Sequence, residues 1–365
     1  MSYVNPANER VKREYQRWLK EAERLKASTI NHALLAIHHY EQFTNGADFK
    51  CWSLDRALEY KDVLRSQGNS AATFVTKMRA LQRFFHWLAD RPTYRRAISH
   101  EQVNYLNPSN EEIALAHQYR RKSSATLSEA QLVIRSMPHS TDTQLRDRAI
   151  VACAFLTGAR VSALRTLKLK HVLADGTGIL QDANEVEVKF SKSQVTTFFP
   201  VGDDIRRAFV EYVEHLQLKL GWRPDDPLFP ATEQRSGEER VFRVVGLSRR
   251  HWNTPDPIRA RFKRAFEAAG VPYFPPHRAR NSLTTLGLQI CNSPEALKAW
   301  SQNSGHESVL TTLRSYGEVS PERQAELLRQ MARPIAHEDD VTKLAKALLG
   351  NPEIASLFQK QRPEN

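Results

Sequence analysis

Cysteine is scarce: Cys51, Cys153 and Cys291 are the three in 365 residues, and they lack metal-ligand spacing. So sparse and odd a set excludes a disulfide-stapled scaffold and fits a reducing compartment. No apolar run approaches the ~20 residues that span a bilayer, and Met1-Ser2-Tyr3-Val4-Asn5-Pro6 holds no apolar signal core. No membrane partner is expected, and the chain reads as cytoplasmic. The glycine-rich phosphate loop of nucleotide-dependent enzymes is missing, as is a carboxylate cluster suited to metal, so no cofactor is expected. Internal repeats, heptads and low-complexity tracts are absent as well. Acidic residues are in deficit, 41 against 53 Lys and Arg, for a net charge of +12 and a pI near 9.7. An excess of this size points to an anionic partner, with nucleic acid the first candidate.

The length allows two domains with separate cores. The first ninety residues read as helices. One runs from Glu9 to Leu25, a second opens at Ser28-Thr29-Ile30, and a third covers Leu54 to Leu64. After the Gly68-Asn69-Ser70 break, Phe74, Met78, Leu81, Phe85 and Leu88 recur at spacings of four and three, an amphipathic helix with Ser70 as its cap. Basic residues beside Ser and Pro, from Arg91 to Ser124, suit a linker. Ser128 before Glu129 and Gln131 reads as a new helix start. Val186, Val188 and Phe190 alternate with charged residues as a strand. Ser191 to Gln194 then makes a turn, and Val195 to Val201 a return strand. Helical patterns follow from Asp204 to Leu220 and from Ile258 to Ala269, separated by a long polar loop from Pro224 to Pro257.

A set of polar residues stands in order along the second half. Arg160 lies in Leu156-Thr157-Gly158-Ala159-Arg160, and His277 and Arg280 lie in Pro276-His277-Arg278-Ala279-Arg280. Gly305-His306 and Tyr316 follow. Guanidiniums hold phosphate in a fork, imidazoles move protons near neutral pH, and a phenol can serve as nucleophile. If the two prolines before His277 open a helix, His277 and Arg280 share one face.

These segments resemble the motifs of the tyrosine recombinase, or phage integrase, family, strongly over roughly residues 125 to 320 and weakly over the N-terminal third. The resemblance implies a mainly α fold with a small antiparallel β-sheet, arranged as a two-domain DNA clamp. Its parts would be a helical core-binding domain (1–92), a linker (93–124), an integrase-type catalytic domain (125–334) and a C-terminal helical tail (335–365). It implies a site-specific recombinase that cuts and rejoins double-stranded DNA through a 3′-phosphotyrosine without metal or ATP. The enzyme would act as a homotetramer on paired sites in the bacterial cytoplasm, at the nucleoid, in the service of a mobile element or chromosome.

Site roles come from the same resemblance. Arg160, Arg280 and His306 would bind the scissile phosphate, His277 would take the nucleophile's proton, and Tyr316 would attack. Lys192, eight residues before Pro200, matches the family's hairpin lysine that protonates the leaving group; Lys189 competes, but the alternation places it beside Glu187. Lys77 and Arg83 are candidate DNA contacts on an exposed helix face. Four features depart from the pattern. Ala163 replaces the usual acid, Ser304 the usual leucine, and Glu318 the usual histidine, while His306 and Tyr316 are ten apart instead of nine. The alternatives are a type IB topoisomerase-like strand transferase and a DNA-binding regulator with impaired catalysis.

Overall fold

The structure, a computed structural model, describes residues 5–117, 123–188, 192–236, 242–306, 308–316 and 321–331. The chain divides into two compact units, Met1–Tyr119 and Arg120–Asn365.

The N-terminal unit is helical. Helix α1 (Pro6–Glu21) is capped by Asn5, whose side chain accepts from Ala7 N and Asn8 N. Helices α2 (Ala27–Phe43) and α3 (Leu54–Ser66) follow. In α4 (Ala71–Ala89), Ser70 Oγ accepts from Thr73 N at 3.2 Å, so the expected cap forms. The Phe74, Met78, Leu81, Phe85 and Leu88 stripe is buried as its spacing predicts. Aromatics dominate this core, with Trp52 and Phe85 ring centroids 4.1 Å apart. Two short helices, α5 (His100–Val103) and α6 (Asn110–His117), belong to the same unit. Tyr94, Ile98, Val103 and Leu106 are buried in its core, with Ile113 and Ala116 packed against it. The first unit therefore runs well past residue 92, into the stretch read as linker. Composition suggested a linker because basic residues and prolines outnumber these scattered apolar anchors.

In the second unit, α7 (Leu127–Ser136) begins two residues earlier than expected. Thr126, not Ser128, is the cap: its Oγ1 accepts from Glu129 N, and Glu129 Oε2 accepts from Thr126 N at 2.7 Å. Helix α8 (Asp142–Thr157) is the central element, buried continuously from Ala149 to Thr157. Arg146, 1% exposed, enters the core with Asp147 as its ion partner and the Trp252 ring as its platform. Helix α9 (Val161–Thr166) follows at once.

The sheet is small. Strand β1 (Gly178–Gln181) pairs antiparallel with β2 (Gln194–Thr197), Gly178 opposite Thr197. The alternating run at 186–188 is not strand. Asp182 O accepts from Val186 N at 2.7 Å and Asp182 Oδ1 from Asn184 N at 3.0 Å, so local turns take the backbone groups a ladder would need. Residues 189 and 190 of that expected strand lie outside the described residues.

Helix α10 (Asp203–Glu214) continues as a π-helical turn over His215–Lys219. The expected polar loop holds a hairpin, β3 (Thr232–Ser236) with β4 (Phe242–Leu247), and buries Leu228, Phe229 and Trp252. Helices α11 (Asp256–Ala268), α12 (Arg278–Ile290), α13 (Pro294–Asn303), α14 (Val309–Tyr316) and α15 (Pro321–Met331) complete the described chain. The helical tail expected within 335–365 lies outside the described residues.

Candidate active site

Arg160 is placed by the way α8 ends. Thr157 Oγ1 donates to Cys153 O at 2.6 Å and accepts from Ala159 N at 3.2 Å. Gly158 takes the left-handed conformation, φ 61°, which favours a residue without Cβ. A Cβ there would also press on Leu283 Cδ1 at 3.1 Å. The chain thus turns sharply and presents Arg160 as the N-cap of α9, exposed on the site.

His277 is the exposed N-cap of α12, and Arg280 lies on that helix's first turn. The Arg280 guanidinium donates to Gly158 O at 3.3 Å, to Ser304 O, and through Nε to His306 Nε2 at 3.2 Å. It therefore ties the end of α8 to the turn between α13 and α14. Gly305, φ 67°, makes that turn. His306 Nδ1 meets Thr312 Oγ1 at 2.7 Å, and Thr312 donates to Ser301 Oγ at 2.9 Å. Because Nε2 accepts from Arg280, the proton of the neutral ring sits on Nδ1 and points at Thr312. Thr312 and Ser301 were not read as site residues from the sequence. Thr312 lies six residues past His306, but its part depends on a buried hydroxyl chain that only packing creates.

Tyr316 ends α14, an uninterrupted α-helix; its side chain lies outside the described residues. It stands four residues past Thr312 in the same helix. A ten-residue spacing from His306 is thus accommodated without a bulge in α14. Lys192 is exposed, immediately before Ser193, whose Oγ accepts from Ala183 N at 2.9 Å. Lys189 lies outside the described residues.

The electrostatics single out Arg160, Arg280 and His306. Among the described residues, neither guanidinium has an acidic partner. Burial, with Arg160 beside it, pushes Arg280 down to about 10. Burial and then the two arginines push His306 down to about 4, so the imidazole is neutral at pH 7. Cations partly withdrawn from water without an acidic partner are costly, and the arrangement is one an anion would relieve. Two consequences are measurable. Between pH 6.5 and 4 the unfolded chain binds a proton at this histidine and the folded chain does not, so stability falls as pH drops through that window. The slope stays below the roughly 1.4 kcal/mol per pH unit of one fully coupled proton, since solvent reaches the half-buried ring. Adding inorganic phosphate should raise the His306 pKa in an NMR titration; an unmoved value would detach His306 from the anion site.

The two N-terminal candidates separate. Arg83 is engaged within the protein, paired with Glu23 and set over the Trp18 ring at 5.5 Å. Helix-face reasoning could not foresee this pairing, because Glu23 and Trp18 lie outside α4. Lys77 is half-buried, beside an apolar groove of about 900 Å³ lined by Leu19, Leu35 and Ala36 among others.

Residues 126–323 match the model described as the phage integrase family. The chain belongs to that family. The match spans more than half of the sequence and includes Arg160, Lys192, His277, Arg280, His306 and Tyr316. Among similar proteins are the tyrosine recombinases XerC of Staphylococcus epidermidis, 25% identical over 76% of this chain and 83% of the relative, and of Ralstonia pickettii, 27% identical over 68% and 70%. A relative from Caldanaerobacter subterraneus is 24% identical, and the chain spans 65% of its length. Two solved structures share the fold. A lambda integrase dimer bound to a COC′ core site is 15% identical, with TM-score 0.57 over 86% of this chain and 96% of that one. The Tn1549 transposon integrase with transposon right end DNA is 15% identical, with TM-score 0.56 over 88% and 99%.

Two departures from the integrase pattern have structural reasons. Ala163 is 1% exposed and packed in the core, where an acid would need a partner. Ser304 is buried, and its hydroxyl is satisfied by Trp300 O at 3.0 Å, so the missing leucine leaves no orphaned polar group.

Proposed function

We propose that this integrase-family chain is a site-specific recombinase that breaks and rejoins double-stranded DNA through a 3′-phosphotyrosine. The observation that carries the reading is the pair Arg160 and Arg280, neither with an acidic partner among the described residues, with His306 hydrogen-bonded to the second. In this reading the non-bridging oxygens of the scissile phosphate occupy the place between them. The guanidiniums hold the charge that builds on those oxygens in the transition state. Once the phosphate offsets the two cations, His306 can adopt the form that donates to it.

Tyr316 Oη attacks phosphorus and its proton passes to His277. The bond from phosphorus to the 5′ oxygen breaks, and Lys192 supplies the proton that lets this oxygen leave as an alcohol. The phosphate stays esterified to Tyr316, so attack by a 5′ hydroxyl from another strand restores a phosphodiester without an external energy source. In this reading the chemistry draws on neither nucleotide nor metal. The tetrameric assembly on paired sites is part of the proposal; a structural neighbour is a lambda integrase tetramer bound to a Holliday junction, with TM-score 0.56.

The test is covalent trapping on a nicked duplex carrying the DNA that flanks the native gene, with EDTA present. The expected product is a denaturant-resistant protein–DNA adduct whose attached peptide contains Tyr316. Binding with no adduct would instead identify a regulator that has lost catalysis, and recombination between paired sites separates a recombinase from a topoisomerase-like enzyme.

A further inference from the structure

The strand that follows Lys192 is fastened to the turn that carries His306. Gln194 Nε2 donates to Asn303 O at 2.7 Å and reaches Gln302 O at 3.4 Å. From the other side, Asn303 Oδ1 accepts from Thr197 N and Asn303 Nδ2 donates to Thr197 O, both at 2.8 Å. The Asn303 carboxamide thus pairs with the edge of β2 as the peptide of a third strand would. Gly305 closes the joint, because a Cβ there would collide with Gln194 Oε1. Between Asn303 and Gly305 lies Ser304, whose carbonyl accepts from Arg280.

We infer that Gln194 and Asn303 are positioning residues that lock the strand following Lys192 onto the turn bearing His306. The inference rests on the proposed strand-transfer chemistry. Neither side chain touches the reacting atoms. Each fixes where the leaving-group acid stands relative to the phosphate cradle. Lys192 itself is exposed, and among the described residues no hydrogen bond or ion pair holds its ammonium. Its placement therefore depends on the backbone two residues away. A general acid displaced by about 1 Å loses on the order of 10²-fold in rate.

A leaving group that needs no acid provides the test. Single-turnover cleavage by the full chain is measured on a normal nicked duplex and on one with sulfur at the 5′ bridging position, where a thiolate departs unaided. Lys192→Ala, Gln194→Glu and Asn303→Ala are each expected to slow the normal substrate by about 10²-fold and to cleave the thio substrate at the wild-type rate. Gln194→Glu keeps the shape but sets a carboxylate against two carbonyls. Asn303→Ala removes the opposite half of the joint, so either variant suffices if the other misfolds. A merely structural role would slow both substrates alike. Equal slowing on both, or no slowing on the normal one, overturns the inference if Lys192→Ala is rescued by sulfur. If Lys192→Ala is not rescued, the acid role of Lys192 falls, and the positioning role falls with it.

Discussion

Tyr316→Phe is expected to remove the covalent DNA adduct completely while DNA binding stays as it was. The substitution deletes one oxygen at the last residue of α14. The packing that anchors this helix runs through Thr312, 1% exposed and bonded to Ser301 and His306, and is untouched. Losing a nucleophile costs roughly 10⁶-fold in enzymes where it has been isolated, which puts the adduct below detection. The change in DNA affinity should remain within about 0.5 kcal/mol, as for a substitution remote from the binding groups. Other tyrosines are poorly placed to substitute. Tyr212 is fully buried with its phenol pushed far up, and Tyr273 lies ahead of the His277 turn. An adduct that persists in the phenylalanine variant, mapped by mass spectrometry to another residue, would move the nucleophile.

Arg280→Ala should be the second large loss, about 10³- to 10⁵-fold in cleavage, the range for an arginine that stabilises a transferring phosphoryl group. Arg280→Lys should recover little of it, because an ammonium cannot reproduce a fork that spans Gly158 O, Ser304 O and His306 Nε2. Arg280→Ala also makes an independent electrostatic prediction. Arg280 is one of the groups holding His306 near 4, so its removal should raise that pKa toward the ordinary value. The fall in stability between pH 6.5 and 4 should then become shallower. Cleavage kinetics test the phosphate role and NMR titration tests the neighbourhood, so either can fail alone. Full activity in Arg280→Ala would remove the cradle as the organising feature of the site.

Local physics explains which parts were legible beforehand. The α4 stripe and the Ser70 cap are written in spacings of a few residues, and short-range rules read them. Thr126 was missed as a cap because Ser128, two positions on, offered a similar pattern, and the choice rests on which hydroxyl meets a backbone N–H. The strand expected near 186 failed because Asp182 side-chain and backbone oxygens compete for the same amides. Residues 94 to 117 passed for linker because their apolar anchors are sparse and find partners on elements distant in sequence, α3 and α4 among them.

Residue type and spacing suffice for the identities and order of the six proposed site residues, the basic balance, and the family to which the chain belongs. Such properties survive without coordinates. The folded chain was needed to find that Arg280 bridges the end of α8 and the His306 turn, that Arg83 pairs with Glu23, and that Gln194 and Asn303 join a hairpin to a helix end. Each is a contact between segments far apart in the chain, and such contacts arise from packing the whole core, which no local window of sequence encodes.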